Sequence, residues 1–189
     1  HVTVLFGSAP VGPTTVNRMR KYAGGRLPTV RFGSTETCLQ VCGTPLSLSE
    51  EQRLAAFRRG WEHVNAKHEA SAGYYIGRGH AHHTEVKVVR SVTRGAPGYL
   101  EAVPEGESGL LVTRGANLMS GYVGNDAATA EALHRNLKSG DDQQQQQQQH
   151  PWYVNLGDVC FALTNPDDGG QDIYWQSRES SLLIRGGAN

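Results

Sequence analysis

A short run of chemically capable residues follows a predicted strand near the beginning of the chain. Residues 32–36 read Phe-Gly-Ser-Thr-Glu and come directly after Thr29-Val30-Arg31. The run supplies an aromatic ring, a flexible backbone, two hydroxyls and a carboxylate. Such a set can stack on a base, bond a phosphate and hold a hard cation through oxygen ligands. Because Gly-Ser-Thr clusters are also common in ordinary turns, the run by itself does not decide a function.

The elements predicted around this run place it at one edge of a sheet. Residues 2–6 are predicted as a buried strand, residues 13–22 as a helix and residues 29–32 as a second strand. Each strand is followed by a glycine-bearing turn, over residues 7–10 and 33–36. Ligands bind at the carboxyl ends of the strands in open α/β sheets, so we expect the two turns to form one site.

The rest of the chain changes character as it proceeds. Ser49 and Gln52 form a predicted capping box for a helix with an apolar stripe, Leu54, Phe57 and Trp61, which we interpret as an insertion. Short alternating runs at 85–89 and 109–113 predict strands of a β subdomain, and residues 126–137 predict a helix. The glutamine tract 143–149 is expected to be a disordered, solvated loop without a function of its own.

A series of motifs continues downstream of the Phe-Gly-Ser-Thr-Glu run. Its members are Gly106 to Gly115, Leu118 to Tyr122, Trp152 to Asp158, and Ser177-Arg178 leading to Ile184 to Asn189. In this order the chain resembles the adenylate-forming superfamily, which includes acyl-CoA synthetases, peptide-synthetase adenylation domains and luciferases. The resemblance covers nearly all of the sequence, apart from the segment near 43–72 and the glutamine tract.

The resemblance implies an α/β fold that corresponds to the C-terminal part of the family's large N-terminal domain. We expect residues 1–73 to form the α/β portion, a strand-helix-strand unit of a layered sheet with the nucleotide-binding turns and the inserted helix. Residues 74–176 are expected to form a small distorted β-barrel subdomain. Residues 177–189 are expected to begin the hinge to a C-terminal domain that the chain does not contain.

The resemblance also implies a role for individual residues. Thr35 would bond the α-phosphate, and Glu36 would ligate the magnesium ion, so these two are the predicted catalytic residues. Asp158 would accept both ribose hydroxyls, and Arg178 would donate to the ribose from the other side. The other predicted nucleotide contacts are Gly7, Ser8, Ala9, Pro10, Phe32, Gly33 and Ser34, with Ala9 and Pro10 lining the adenine and Phe32 stacking on it or flanking the substrate. Met119 and Tyr122 are interpreted as packing residues.

The implied reaction is ATP-dependent activation of a carboxylic acid. The acid attacks the α-phosphorus, pyrophosphate is released, and an acyl-adenylate remains with AMP as its nucleotide portion. A thiol then accepts the acyl group, with coenzyme A as the first choice and a carrier protein as the alternative. Leu39 and Val41 suggest an apolar acyl substrate. The expected partners are the upstream phosphate loop and downstream lid domain of the same polypeptide, because the chain starts after one and stops before the other. A fragment of this kind is expected to be inactive alone.

Departures from the family pattern leave a second hypothesis open. Leu156 and Ser177 stand where relatives carry Thr and Gly, and Ser180 stands at the hinge position usually held by Asp or Lys. The parent protein could therefore be a catalytically degenerate adenylation domain that serves as a structural or nucleotide-sensing subunit of a larger assembly. A third hypothesis is a metal site formed by His80, His82 and His83, with His63 and His68 nearby, or by Cys38 and Cys42 with histidines.

Composition and charge limit the class of protein and its location. The 18 basic and 18 acidic residues balance, so no net field favours nucleic acid or a membrane surface. The sequence contains neither an apolar run long enough to cross a bilayer nor a signal-peptide pattern. Its 3 cysteines are an odd and sparse set. They predict an intracellular, reducing compartment, with the cytoplasm as first choice and an organelle as the alternative.

Overall fold

A computed structural model describes residues 4–69, 71–80, 83–135 and 150–179. The helices are α1 (Pro13–Tyr22), α2 (Glu50–Ala66) and α3 (Asp126–Ala132), with a 3-10 turn at Thr35–Thr37. The strands are β1 (Leu5–Phe6), β2 (Thr29–Phe32), β3 (Cys42–Gly43), β4 (Tyr74–Gly79), β5 (Thr84–Val89), β6 (Gly109–Gly115), β7 (Leu133–His134), β8 (Trp152–Tyr153), β9 (Asp158–Thr164) and β10 (Gln171–Arg178). The predicted glutamine tract and the hinge beyond residue 179 lie outside the described residues.

The strands form one open mixed sheet. The hydrogen-bonded order is β1-β2-β3-β4-β10-β9-β6-β8-β7, and β5 pairs with β6 beside this path. Strands β1 and β2 are parallel, whereas the later pairings are antiparallel. The predicted α/β class is confirmed, but the expected distorted barrel is an open sheet over the described residues. Strands on both sides of residue 73 share this path, and the division into subdomains stays a prediction.

The first predicted strand is not buried as expected: among the described residues β1 covers only Leu5–Phe6, and Leu5 is 55% exposed.

The helix signals at the start of the chain are borne out. Helix α1 has Pro13 at its first position, where the missing N–H costs no hydrogen bond. The chain leaves this helix through Gly24 and Gly25, whose φ angles of 61° and 87° lie in the left-handed region that favours glycine. Helix α2 begins with the predicted capping box, in which Gln52 N donates to Ser49 Oγ and Ser49 N donates to Gln52 Oε1.

Helix α3 is shorter than the sequence predicted. It ends at Ala132, and Leu133 is extended with φ −110° and ψ 104°. Leu133 and His134 pair instead with Tyr153 and Trp152 across an antiparallel ladder. The prediction of a helix to residue 137 was wrong because the pairing partner lies about twenty residues downstream, where a helical period cannot reveal it.

Helix α2 packs on the sheet as part of the core. Phe57, at the centre of its predicted stripe, is 1% exposed and meets Tyr75 edge to face at a centroid distance of 5.3 Å. Leu54 and Trp61 lie at the border of the same cluster. We call this group the first core cluster; its buried members are Val16, Leu27, Val30, Ala56, Phe57, Val64, Tyr75, Phe161, Leu163 and Tyr174.

A second core cluster lies on the other part of the sheet. Its buried members are Val41, Cys42, Ile76, Val88, Leu111, Ala132, Tyr153, Leu156, Cys160 and Ile173. Leu156, one of the departures from the family pattern, is therefore a packing residue. Cys42 and Cys160 are buried free thiols whose pKa is raised by desolvation, whereas Cys38 is exposed.

Candidate nucleotide site

The two predicted turns leave the sheet at the same edge. In the parallel pair β1 and β2, Leu5 lies beside Thr29 and Phe6 beside Val30, so both strands run toward the same edge, and β2 continues two residues beyond the end of β1. The first turn bends at Ser8, whose φ of 68° lies in the left-handed region. Ser8, Ala9 and Pro10 are exposed beyond this bend, and Gly7 lies against the side chain of Arg31. The parallel pairing thus confirms the expected juxtaposition of the two turns.

The second turn is closed by its own hydrogen bonds. Ser34 N donates to Thr37 Oγ1 at 2.9 Å, and Thr37 Oγ1 donates to Ser34 O at 3.0 Å. Thr37 is fully buried, whereas Thr35 is exposed. A Cβ atom on Gly33 would lie 2.7 Å from the backbone of Leu39 and Gln40, so this position needs glycine for close backbone approach.

Glu36 is the acidic residue of the second turn, and its carboxylate has a hydrogen-bond donor. Its Oε1 accepts a hydrogen bond from the Tyr122 hydroxyl at 3.1 Å. Partial burial acts to raise the pKa of Glu36, but hydrogen bonding from its own backbone N–H and from the Tyr122 phenol outweighs it, so the pKa lies below its ordinary value. Glu36 is therefore a carboxylate at neutral pH.

The Ser34 hydroxyl stands next to this carboxylate. It is close enough to contribute to the lowered pKa of Glu36, yet Ser34 Oγ is buried and makes no well-aligned hydrogen bond within the described residues. A buried hydroxyl without a good partner costs free energy unless a ligand or water completes its bonding. This orphaned atom fits a polar ligand at the turn.

Residues 117–122 hold the turn from the opposite side. Asn117 Nδ2 donates to the carbonyls of Thr37 and Gln40 at 3.1 and 2.8 Å, and Met119 N donates to Glu36 O at 2.8 Å. Tyr122 is in turn fixed by its own N–H, which donates to Thr129 Oγ1 on α3 at 2.9 Å. The backbone and the side chain of Glu36 are both attached to this one segment.

Asp158 and Arg178 face each other on neighbouring strands. They are register partners of β9 and β10, and Arg178 Nε lies 3.5 Å from Asp158 Oδ1. The indole N–H of Trp175 donates to the same oxygen at 2.7 Å. Burial raises the pKa of Asp158 above its ordinary value, although Trp175 and Arg178 act to lower it. The carboxylate is thus oriented by the indole of Trp175, paired with Arg178 and retained at an energetic cost.

The second core cluster contacts residues that belong to each of the two groups. Phe32 precedes the Glu36 turn and Trp175 holds Asp158, and both rings pack against this cluster while remaining partly exposed. No hydrogen bond or ion pair between described residues joins Glu36 directly to Asp158. The structure therefore brings the predicted residues into two pre-formed groups on one core.

Sequence reasoning missed two contacts of this site. Tyr122 packs as predicted, but it also donates to Glu36 from 86 residues away. Trp175 received no role from the sequence, although it lies 17 residues from its partner Asp158. The signals were indirect, namely a tyrosine inside one quoted motif and a tryptophan three residues before Arg178.

The histidine hypothesis gains no support from the structure. Among the residues that the structure describes, no group of three or more His, Cys, Asp or Glu side chains could hold a metal ion. His80 Nε2 is engaged with the Gln40 amide at 2.5 Å, and His63 Nε2 contacts the carbonyl of Gly106 at 2.9 Å. His82 lies outside the described residues. In the described part of the chain, no helix is both long and apolar enough to cross a membrane.

Comparison with protein-family models identifies the family of this chain. The model of the AMP-binding enzyme family matches residues 1–123, which is more than half of the sequence and includes both turns, α2 and the 117–122 segment. The chain belongs to the AMP-binding enzyme family. The adenylate-forming resemblance read from its motifs is thereby confirmed. No curated protein matches the sequence.

Solved structures of adenylate-forming enzymes share the fold. A long-chain-fatty-acid-CoA ligase, FadD1 from Archaeoglobus fulgidus, matches 94% of this chain and 28% of its own with 23% identity and a TM-score of 0.60. For the amide bond synthetase McbA from Marinactinospora thermotolerans, the match covers 98% of this chain and 28% of McbA, with 20% identity and a TM-score of 0.63. For ATP-bound MatB from Rhodopseudomonas palustris, the match covers 99% of this chain and 27% of MatB, with 20% identity and a TM-score of 0.58. The chain spans less than a third of each of these structures.

Proposed function

We propose that the chain contributes the nucleotide site of an enzyme that activates a carboxylic acid with ATP. The observation that carries the proposal is Glu36, a carboxylate kept ionised at the carboxyl end of a parallel strand pair in an AMP-binding enzyme. In the proposed reaction a substrate carboxylate oxygen bonds to the α-phosphorus, and the bond from that phosphorus to pyrophosphate breaks. An acyl-adenylate remains, and in a second step the thiol of coenzyme A bonds to the acyl carbon while the acyl–phosphate bond breaks and AMP leaves.

The residues present fit a magnesium ion with substrate phosphates. A magnesium ion is commonly bound by one or two protein carboxylates together with phosphate oxygens and waters, and the carboxylate of Glu36 has acceptor capacity beyond its bond to Tyr122. The ion would supply neutralisation of phosphate charge. The hydroxyls of Ser34 and Thr35 would donate hydrogen bonds to the α-phosphate and so help to orient it.

Asp158 and Arg178 would hold the sugar. The two acceptor oxygens of a carboxylate match a pair of neighbouring hydroxyls, and Trp175 fixes the orientation of this carboxylate before the nucleotide arrives. Gly7, Ser8, Ala9, Pro10, Phe32 and Gly33 would surround the adenine and the acyl group. An apolar acid remains the proposed substrate, and ATP-bound MatB and the fatty-acid ligase FadD1 support the nucleotide and the reaction class.

Exchange of labelled pyrophosphate into ATP tests this proposal. The polypeptide that contains this chain is assayed with short, medium and long carboxylic acids, next to Asp158→Ala and the exposed control Glu107→Ala. We expect acid-dependent exchange that Asp158→Ala lowers at least about a hundredfold, since a charged acceptor of two hydrogen bonds is lost. Glu107→Ala should retain the exchange. Absence of exchange with every acid, from folded protein, would contradict the proposal and favour a degenerate structural subunit.

A further inference from the structure

The segment 117–122 is bonded to the turn that carries Glu36 at several independent points. The Asn117 amide donates to the carbonyls of Thr37 and Gln40. The backbone N–H of Met119 donates to the carbonyl of Glu36, and the Tyr122 hydroxyl donates to the Glu36 carboxylate. These contacts span between 77 and 86 residues of sequence for the side-chain bonds. A solvent-facing loop that only covered the core would not need to bond both the backbone and the functional group of one residue.

The segment is itself fixed from behind. Thr84 Oγ1 donates to Asn117 Oδ1 at 3.2 Å, which sets the orientation of the Asn117 amide toward the turn. Thr129 Oγ1 accepts from Tyr122 N and donates to Asn125 O at 3.0 Å. A Cβ on Gly121 would lie 2.8 Å from Thr129 Cγ2, so the backbone passes α3 too closely for a side chain. The donor to Glu36 is thus part of a rigid frame.

We propose that Tyr122 is a positioning residue for Glu36, and that Asn117 is the positioning residue for the turn beneath it. By donating to Oε1, Tyr122 would favour one orientation of the carboxylate and leave Oε2 available to a cation. Asn117 holds the turn so that this carboxylate stays at the strand end. The inference rests on the proposed function, because it assigns to Glu36 the task of binding the magnesium ion of the nucleotide.

The neighbouring groups agree with this assignment. The Tyr122 phenol donates to Oε1 of Glu36 at 3.1 Å, and a phenol is an uncharged donor throughout the neutral range. The phenol of Tyr153 and the hydroxyl of Ser34 lie beside the Tyr122–Glu36 pair, and Glu36 is the charged residue of this polar cluster. Removing the Tyr122 hydroxyl takes away one donor to the carboxylate without adding a charge.

The test compares two phenylalanine variants that each lose one phenol hydrogen bond. Tyr122→Phe removes the donor to Glu36, and Tyr99→Phe removes a bond to His134 Nδ1 of 2.9 Å elsewhere in the fold. In pyrophosphate exchange, we expect Tyr122→Phe to raise the half-saturating Mg²⁺ concentration roughly three- to tenfold, with near-normal turnover at saturating Mg²⁺. Tyr99→Phe should leave that concentration unchanged. An unchanged value for Tyr122→Phe, or an equal rise in both variants, would overturn the proposal.

A second readout does not depend on activity. In protein labelled with [13C]glutamate, the carboxyl signal of Glu36 is assigned by its loss in Glu36→Gln, and its pKa is measured by titration. We expect a higher pKa for Glu36 in Tyr122→Phe, and the wild-type value in Tyr99→Phe and Asn117→Ala. An unchanged pKa in folded Tyr122→Phe would refute the contact itself. A wild-type protein without exchange, but with the expected pKa rise in Tyr122→Phe, would refute the proposed function and leave the positioning contact supported.

Asn117→Ala separates geometry from electrostatics. It removes the donors to Thr37 O and Gln40 O and touches no atom of the Glu36 carboxylate. We expect it to raise the half-saturating Mg²⁺ concentration as Tyr122→Phe does, while the pKa of Glu36 stays at the wild-type value. A rise of the pKa equal to that in Tyr122→Phe would mean that the turn has unfolded, and would count against separate roles for the two residues.

Discussion

Asp158, the proposed ribose ligand, shows at the level of one residue how a buried carboxylate can oppose stability. The residue is 3% exposed, and its burial raises the pKa of the carboxyl group. An acid with a raised folded-state pKa makes its full contribution to stability below its unfolded pKa, and that contribution is lost as the pH rises through the folded pKa. At pH 7 the ionised Asp158 therefore costs free energy of folding.

Asp158→Asn should stabilise the protein at pH 7 and weaken the proposed nucleotide binding. The amide oxygen can still accept from Trp175, and the lost ion pair is with Arg178, whose side chain is 37% exposed and contributes little. We expect urea unfolding to show a higher free energy of unfolding at pH 7, with the gain over wild type shrinking on acidification. Calorimetry should show roughly tenfold or more weaker nucleotide binding. A variant that is less stable than wild type at pH 7 would contradict this account.

Helix α2 shows how a single close approach positions an element. A Cβ on Gly60 would lie 2.3 Å from Tyr174 Cδ1 and 2.4 Å from Gly73 O, so the helix meets the segment before β4 and the aromatic core at backbone distance. Tyr174 is fully buried and stacks on Phe161 at 5.1 Å. The glycine therefore sets the depth at which the helix packs on the sheet.

Gly60→Ala should destabilise the protein in spite of its better helix propensity. Alanine gains up to about 1 kcal/mol over glycine in a helix, but the overpacking is expected to cost more, for a net loss of about 1–3 kcal/mol in the free energy of unfolding. Asn65→Ala, at an exposed position of the same helix, serves as the control for propensity alone. It should be neutral or slightly stabilising in the same urea titrations. Equal stability of Gly60→Ala and wild type would show that the backbone approach is not limiting.

A buried ionic network joins distant parts of the whole molecule. Asp172 on β10 is fully buried and accepts from Arg59 on α2 at 2.9 Å, from Arg78 on β4 at 2.6 Å and from Asn165 at 3.0 Å. Arg78 also pairs with Asp168 at 2.8 Å. The network connects the helix layer, two strands and the turn before β10, and it lies away from the candidate site.

Asp172→Ala should be among the most damaging substitutions in this chain. It leaves two mostly buried guanidinium groups without their shared acceptor, for which a loss of roughly 3–5 kcal/mol is expected. Glu85→Ala is the control, because the pair of Glu85 with Arg114 is more exposed and should contribute less than about 1 kcal/mol. Chemical unfolding at low and high salt measures both. A small, salt-sensitive loss for Asp172→Ala would show that the network is solvated.

The sequence by itself determined the elements whose signals are local and the membership of the family. The bounds of α1 and the start of α2 follow from a proline, a glycine pair and a capping box, each within a few residues of the boundary that it marks. The predicted turns follow the carboxyl ends of two parallel strands at the same edge, a consequence of topology that a strand-helix-strand order already implies.

Only the tertiary structure decided the end of α3, the donors to the two carboxylates and the open form of the sheet. Leu133 is extended because it pairs with Tyr153, Glu36 is oriented by Tyr122, and Asp158 is oriented by Trp175. Each of these contacts joins residues separated by between 17 and 86 positions. The free energy of such contacts depends on burial and on atoms brought together by folding, which composition and periodicity do not encode.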